Sequence, residues 1–361
     1  MYIKNIKLVN FRNYECATFD MSPTLNVVHG KNAVGKTNLL ESVYFAGLGK
    51  SPRVTQDKDL IRMNTSYAYI EIEVAKKYRI HRLEFHLDAK GKKRIAIDGI
   101  PLLKMSELIG FVNIVYFSPD EMRLVKEAPQ ERRRFMDISL SQRKKTYLYA
   151  LSKYNKILSQ RNKLLKTTYD AKTLRSTLPV WDIQLAHEGA HIIVERREFV
   201  RSIEPIARAK HTMLSEGREK LSMMYESEIA GDSVEAVETE LLERYTATTD
   251  KDIELRHTSI GPHRDDIRLM VNDIDIRKFG SQGQQRTTAL ALKLAEIDGF
   301  ALESGETPIL LLDDVLSELD LGRQRQLLKA TEGIQTILTC TEYDSEHLGD
   351  NAHYIPLPKL K

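Results

Sequence analysis

The chain has 361 residues, 42% of them hydrophobic, and a formal net charge of only +3, enough apolar material for one large or two ordinary cores and no bulk excess of either sign. No run approaches the roughly 18 consecutive apolar residues of a membrane span, and the N-terminus alternates polar and apolar residues instead of carrying a signal peptide, so a cytoplasmic location is expected. The only cysteines, Cys16 and Cys340, have no C-x-x-C partner. Neither a disulfide framework nor a cysteine zinc site is supported, and both cysteines read as small strand residues.

In chain order, residues 3–11, 25–29, 67–74, 81–87, 93–97 and 113–117 read as strands of an α/β lobe with hairpins. Between the second of these and a helix-like run over 38–45 lies Gly30-Lys31-Asn32-Ala33-Val34-Gly35-Lys36-Thr37, a complete G-x-x-x-x-G-K-[ST] phosphate loop. The spacing has a physical reason. The glycines let consecutive backbone N–H groups turn inward around phosphates, Lys36 reaches the β/γ oxygens, and the Thr37 hydroxyl ligates Mg²⁺. A buried strand before the loop and a helix starting through Asn38 after it are the context this motif requires.

From Pro129 the texture changes. Tyr147, Leu148, Leu151, Tyr154, Ile157, Leu158, Leu164 and Leu165 recur at helical spacing with Arg and Lys between them. A second long helical pattern follows near Val180, with Leu185, Ile192, Phe199, Ile206 and Met213 every seven residues and Ile193, Val200, Ala207 and Leu214 in the adjacent column. Together they outline an antiparallel helical arm, which Pro205 is expected to kink or break. Between Gln130 and Lys220, 20 Lys+Arg stand against 10 Asp+Glu, a local excess of +10 that leaves −7 for the rest of the chain. Such a stretch is either a solvated helical surface or a track for a phosphate backbone.

After residue 250 the α/β texture returns, with strands expected at 254–258 and 266–271, a helix after Ser281, and a wholly apolar strand at 307–312. That last strand runs into Asp313 and Asp314 and has the form of a Walker B strand. Asp313 is placed for the metal shell, and Asp314 to orient or deprotonate an attacking water. Because the two halves of one ATP site lie at the two ends of the chain, the expected organisation is a single head interrupted by an insertion. The head occupies 1–125 and 251–361 and the helical arm 126–250.

Ser281-Gln282-Gly283-Gln284, at the head of a helix, resembles the signature motif of ABC-type ATPases, although alone it also reads as a polar helix cap. Leu316-Ser317-Glu318-Leu319-Asp320 resembles the D-loop of the same class. With Asn10-Phe11-Arg12-Asn13-Tyr14, Phe117-Ser118-Pro119-Asp120-Glu121, Arg132-Arg133-Arg134-Phe135-Met136-Asp137, Gln160-Arg161-Asn162-Lys163-Leu164-Leu165-Lys166 and Gly261-Pro262-His263-Arg264-Asp265-Asp266, these motifs follow one order over the whole chain. In that order the chain resembles the RecF family of recombination and DNA-repair ATPases with an SMC-like head.

The resemblance implies an ABC-type α/β head with an inserted helical arm, and two heads sandwiching two ATP molecules. Each phosphate loop then faces Ser281, Gln282, Gly283 and Gln284 of the other protomer, and Arg12 and Asn13 lie near the nucleotide. It also implies DNA as partner, with slow hydrolysis releasing the clamp, and work with RecR and RecO in loading RecA. With the local basic excess it points to Arg132, Arg133, Lys144 and Lys145 as DNA contacts. Two departures stand out: Pro119 occupies the place of the Q-loop glutamine, and no histidine follows residues 336–339 closely, His347 being too far along. The run 261–266 gathers His, Arg and two Asp but too few convergent ligands for a metal, and is expected to be a supporting loop. A transporter-coupled ABC ATPase needs the missing glutamine and histidine. An architectural SMC protein needs a longer coiled coil and a hinge, and a small-molecule P-loop kinase leaves the Ser281 segment unexplained.

Overall fold

The computed structural model describes residues 1–341 and 352–357. It begins with β1 (Tyr2–Phe11), β2 (Tyr14–Asp20), β3 (Leu25–His29), α1 (Lys36–Leu48), β4 (Tyr67–Ala75), β5 (Ile80–Asp88), β6 (Lys93–Ile97), β7 (Ile100–Pro101), α2 (Met105–Leu108) and β8 (Ile114–Phe117). The middle holds α3 (Arg123–Lys126), α4 (Pro129–Arg143), α5 (Lys145–Thr167), α6 (Ala171–Leu214), β9 (Leu221–Glu226), α7 (Val234–Ala247), α8 (Thr249–Leu255), β10 (Asp266–Val271), β11 (Ile274–Asp275), α9 (Ile276–Phe279) and α10 (Gln282–Ser304). The chain then returns through β12 (Ile309–Asp313), α11 (Leu321–Ala330), β13 (Thr336–Cys340) and β14 (His353–Pro356).

Two compact units result. One holds Met1–Glu121, Met213–Gly217 and the described chain from Leu290 on; the other holds Met122–Thr212 and Arg218–Ala289. Residues 251–289 therefore lie with the helical unit.

The first unit contains two sheets whose sequences differ as their environments do. β4 and β5 alternate buried with more exposed residues and sit in an antiparallel sheet of order β2-β1-β4-β5-β6-β7. β8, β12 and β13 are buried at every position and belong to a parallel sheet of order β14-β3-β13-β12-β8. A strand covered on both faces has no use for alternation, so these segments read as continuous apolar runs. α1 packs against β8, β12 and β13 and against β4, with Phe45 edge-on to Phe85 of β5 at 5.6 Å. Being covered on several sides, it is buried along nearly its whole length and shows little amphipathic character.

In the second unit α4 packs on α5 and on β10, and β9, β10 and β11 form a small antiparallel sheet. α6 runs unbroken for 44 residues through both Pro179 and Pro205, so the expected interruption does not occur. Pro205 is exposed, while Ile203 and Ala207 beside it are buried. The lost backbone bond is thus on the solvent side, and packing holds the helix on both sides of it. Of the two heptad columns on α6, the one running through Ile193, Val200, Ala207 and Leu214 stays buried throughout, whereas the other moves from buried Leu185, Ile192 and Phe199 to half-buried Ile206 and exposed Met213. That drift is the behaviour of a straight 3.6-residue helix read against a seven-residue repeat, and α6 therefore follows a packed face and not a coiled-coil seam. The segment 254–258, expected as a strand, is the end of α8 and its exit. Arg256 takes the left-handed conformation (φ 57°) that stops the helix, and its guanidinium donates to the carbonyls of Leu165 and Thr168.

Fully buried charge ties the second unit together. Arg161 of α5, with no exposed surface, donates to Asp182 of α6 and to Asp252 of α8, both at 2.8 Å, and to the Thr258 hydroxyl at 2.9 Å. Pairing on that scale is what makes a buried guanidinium tolerable, and it fixes three helices in register.

Candidate nucleotide site

β3, an interior strand of the parallel sheet, delivers the chain to the phosphate loop, and α1 begins at Lys36 immediately after it. Gly30 (φ 152°), Ala33 (φ 65°) and Gly35 (φ 108°) take positive φ, which folds the loop into a concavity where backbone N–H groups converge. Lys31, Asn32 and Ala33 form its exposed rim, while Val34, Gly35 and Lys36 are buried. The Lys36 ammonium lies under the loop, donating to the Gly30 carbonyl at 2.5 Å and the Lys31 carbonyl at 3.1 Å. An ammonium and a helix N-terminus aimed at one hollow make it an anion site.

The turn of the β1–β2 hairpin closes over this loop. Phe11 pairs with Tyr14, leaving Arg12 and Asn13 as the turn, with Arg12 at φ 53°. A β-carbon on Gly35 would stand 2.6 Å from the Asn13 amide nitrogen and 2.8 Å from its oxygen. Tyr14 donates to the Gly35 carbonyl at 3.0 Å, and Asn38 donates to Asn13 at 2.8 Å. Arg12 is anchored through Nε and a terminal nitrogen to both oxygens of buried Glu41, at 2.8 and 2.7 Å. Ser51 also donates to Glu41, at 2.5 Å. Asn13 thus abuts the phosphate loop, and Arg12 beside it is tied to α1. Sequence reasoning misses Glu41, although a carboxylate within the apolar run of α1 is a visible sign of a buried partner.

β12 brings Asp313 to the same place. Its carboxylate receives three hydroxyls: Thr37 of α1 at 2.9 Å and Thr339 of β13 at 2.8 Å on one oxygen, and Tyr116 of β8 at 3.1 Å on the other. Burial, with Asp313 beside it, pushes the Tyr116 phenol above its usual range, so Tyr116 stays protonated and donates. Asp314 follows with an exposed carboxylate and a left-handed backbone, φ 53°. Cys340, next after Thr339, is a thiol pushed up to about 11 by burial and by the Asp314 charge, against a lowering from Lys36. It stays a neutral thiol.

One carboxylate and one hydroxyl 2.9 Å apart beside a phosphate cradle suit Mg²⁺, a hard cation that takes few protein ligands and completes its shell with phosphate oxygens and water. Among the described residues no group of three or more His, Cys, Asp or Glu side chains could hold a metal by itself.

Pro119, in the place of the Q-loop glutamine, opens a single 3₁₀ turn after β8. Glu121 at the end of that segment pairs with buried Lys293 at 3.2 Å. His347 lies outside the described residues. In the D-loop segment Asp320 caps α11 through the Arg323 N–H at 2.9 Å.

The Ser281 segment belongs to the second unit. Ser281 accepts from the Gln284 N–H at 3.2 Å, and the Gln284 side chain accepts from the Ser281 N–H at 2.9 Å, a reciprocal capping box at the start of α10. Ser281 and Gln282 are exposed, and a β-carbon on Gly283 would meet nothing nearer than 3.9 Å, so the first turn of α10 is open.

Of the four basic residues singled out for DNA, Arg132 is 2% exposed and held by Asp266 through two bonds of 2.6 and 2.9 Å. A guanidinium so enclosed cannot reach a phosphate without breaking its pair, and Arg132 is corrected to a structural residue. Arg133 is partly buried and donates to the Asp265 carbonyl at 2.7 Å. Lys144 meets Glu195 at 2.6 Å, and Lys145 is exposed.

The 261–266 loop is a junction of the second unit. Arg196 donates to the Pro262 carbonyl at 2.7 Å, Tyr225 bonds Asp265, and His263 is held between the Tyr154 hydroxyl at 2.7 Å and the Thr258 carbonyl at 3.1 Å. Burial lowers the His263 imidazole to about 4, with nearby Arg264 and Arg133 adding to the effect.

Comparison with known proteins agrees with this architecture. The model of the RecF/RecN/SMC N terminal domain family matches residues 2–352. "DNA replication and repair protein RecF" of Lachnoclostridium phytofermentans is 46% identical over 341 residues, covering 94% of this chain and 93% of that protein. The protein of the same name from Agathobacter rectalis is 47% identical over 344 residues, covering 95% and 93%. A solved structure of the recombination mediator protein RecF with ATPrS in the RecFOR pathway superposes with a TM-score of 0.89 at 33% identity, covering 100% of this chain and 98% of that one. An Smc head bound to part of ScpA gives a TM-score of 0.59 at 15% identity, covering 99% and 95%, which is a likeness of fold alone. With an ABC-type ATPase head, a helical arm and a match along almost its full length, the chain belongs to the RecF family.

Proposed function

We propose that this protein is an ATP-dependent DNA-binding protein of recombinational repair and replication restart. The observation that carries the reading is the meeting of Thr37 and Asp313, 2.9 Å apart but 276 residues apart in sequence, beside a loop shaped for phosphates. The loop N–H groups and Lys36 bind the β/γ-phosphates, and Thr37 and Asp313 hold Mg²⁺. Mg²⁺ when bound neutralises charge developing on the transferred phosphoryl group. Asp314, exposed next to Asp313, orients or deprotonates the water. Gly30 to Asn38, with Arg12 and Asn13, line the nucleotide, and Ser281 to Gln284 of a second copy close over it, so ATP joins two heads.

The dimer clamps duplex DNA or single-strand/double-strand junctions without reading sequence. Arg133, Lys144 and Lys145 remain the candidate contacts, in the helical unit formed by Met122–Thr212 and Arg218–Ala289. Slow, DNA-stimulated hydrolysis releases the clamp, and with RecO and RecR it promotes loading of RecA. Such work on chromosomal DNA belongs in the cytoplasm. The comparisons support this reading through relatives named for DNA replication and repair and through a RecF solved with ATP in the RecFOR pathway.

Light scattering without nucleotide and then with ATP and Mg²⁺ tests it. Doubling of the mass with ATP in the wild type, lost in Ser281→Arg, is expected; an unchanged wild-type mass removes the dimer switch.

A further inference from the structure

Thr339 occupies a position that the motifs leave without a role. It lies on β13, the strand between β3 with its phosphate loop and β12 with the acidic pair, opposite Val28 on one side and Asp313 on the other. It has no exposed surface. Its hydroxyl is within 2.8 Å of an Asp313 carboxylate oxygen and 2.9 Å of the Asp314 backbone nitrogen. A threonine hydroxyl has one hydrogen to give, and a backbone N–H can only donate. The roles are therefore forced: Asp314 N–H donates to Thr339, and Thr339 donates to Asp313.

The pair of bonds does two things at once. At Asp313 it adds a second hydroxyl to the oxygen already bonded by Thr37, while Tyr116 occupies the other oxygen, so the carboxylate is held from β13, α1 and β8. At Asp314 it holds the N–H of a residue in the left-handed region, φ 53°, which residues other than glycine adopt uncommonly. The Asp314 carbonyl is held on its other side by the Ser317 hydroxyl at 2.7 Å. Asp314 is thus pinned at both ends of its backbone, with its carboxylate alone left to solvent.

We infer that Thr339 is a positioning residue for hydrolysis, its one hydroxyl fixing the relation between the metal-side carboxylate of Asp313 and the water-side carboxylate of Asp314. The inference rests on the proposed ATPase reading and adds a residue to it. Among the described residues Thr339 reaches the site through Asp313 and Asp314 and makes no hydrogen bond to the phosphate loop, so its loss should cost turnover more than binding. Preorganised groups lose catalytic effect on small displacements, whereas binding spread over a loop does not.

The test uses the full chain with ATP and Mg²⁺, measuring nucleotide affinity by titration and hydrolysis under saturating ATP. Thr339→Val, equal in shape but without the hydroxyl, should bind ATP within about twofold of the wild type and hydrolyse it about tenfold or more slowly, whereas Thr339→Ser should hydrolyse within about threefold. Turnover by Thr339→Val within about twofold of the wild type would overturn the inference, as would equal proportional losses of affinity and turnover in the Val variant. Should the Val variant fail to fold, comparison of Thr339→Ser with Thr339→Ala isolates the hydroxyl. Equal rates in that pair overturn the inference, and a slower Ala variant supports it. A wild type that neither binds nor hydrolyses ATP defeats the ATPase reading itself, and the inference falls with it.

Discussion

At the scale of single residues, the phosphate loop works by what its side chains leave out. Gly35 sits at φ 108° with the Asn13 amide pressed over it, so a methyl group there meets both a forbidden conformation and a neighbour 2.6 Å away. Gly35→Ala should therefore move the hairpin turn or flatten the loop, weakening affinity for an ATP analogue by about tenfold or more. Fluorescence titration with unchanged affinity would contradict that account. That Thr37 and Asp313 meet beside Lys36 is legible in the sequence alone, because the two motifs have the spacings of a phosphate-binding site. Glu41, Tyr116 and Thr339 are not legible in the same way. Each acts through partners from other elements, and only the fold says which group meets which carboxylate. Arg132 shows the converse: a basic triplet reads as a surface until Asp266 is seen to enclose one of its members.

Among the elements, the 261–266 loop has consequences for pH. His263 is neutral in the folded chain because burial holds its imidazole down to about 4, whereas the unfolded chain takes up a proton near the ordinary value of 6.5. The unfolded state thus binds more protons between about pH 6.5 and 4, and stability must fall as pH drops through that window. By pH 5 the loss from this one group is about 2 kcal/mol. Urea midpoints measured from pH 7 to 5 should fall for the wild type and fall less for His263→Gln, whose side chain does not titrate. Parallel slopes would assign the loss to other groups.

Element boundaries are legible where pattern and packing agree. The strand expected at 307–312 becomes β12, shifted by a residue or two, and the seven-residue columns correctly announce α6. They fail where a single tertiary contact decides the matter. α8 ends at an arginine that finds two carbonyls of another segment, and α6 passes a proline because that residue faces water.

For the whole molecule, a net charge is a poor guide to a binding surface. The +10 of residues 130–220 counts Arg132, Arg161 and Arg196, all buried in ion pairs, as though they faced solvent. The proposed DNA contact therefore depends on fewer cations than the composition offers. It should still be governed by displaced counterions, with affinity for duplex DNA falling about tenfold or more between roughly 50 and 200 mM salt and differing little among sequences. Binding indifferent to salt would point to base readout or to another ligand.

The order of the parallel sheet also bears on how the molecule is made. Among the described residues β3 has only β13 and β14 as neighbours, and β8 has only β12, so each of these early strands waits for a partner translated near the end of the message. Asn26 and Thr336, bonded across that sheet, are 310 residues apart. During synthesis two largely apolar strands and the phosphate loop between them stand without their sheet while the entire helical unit emerges and can fold. The helical unit is thus completed before the nucleotide site. A chain stalled or cut before β12 is left with its most insoluble segments uncovered, a natural mark for chaperones and proteases, and with no half-built ATPase able to act on DNA.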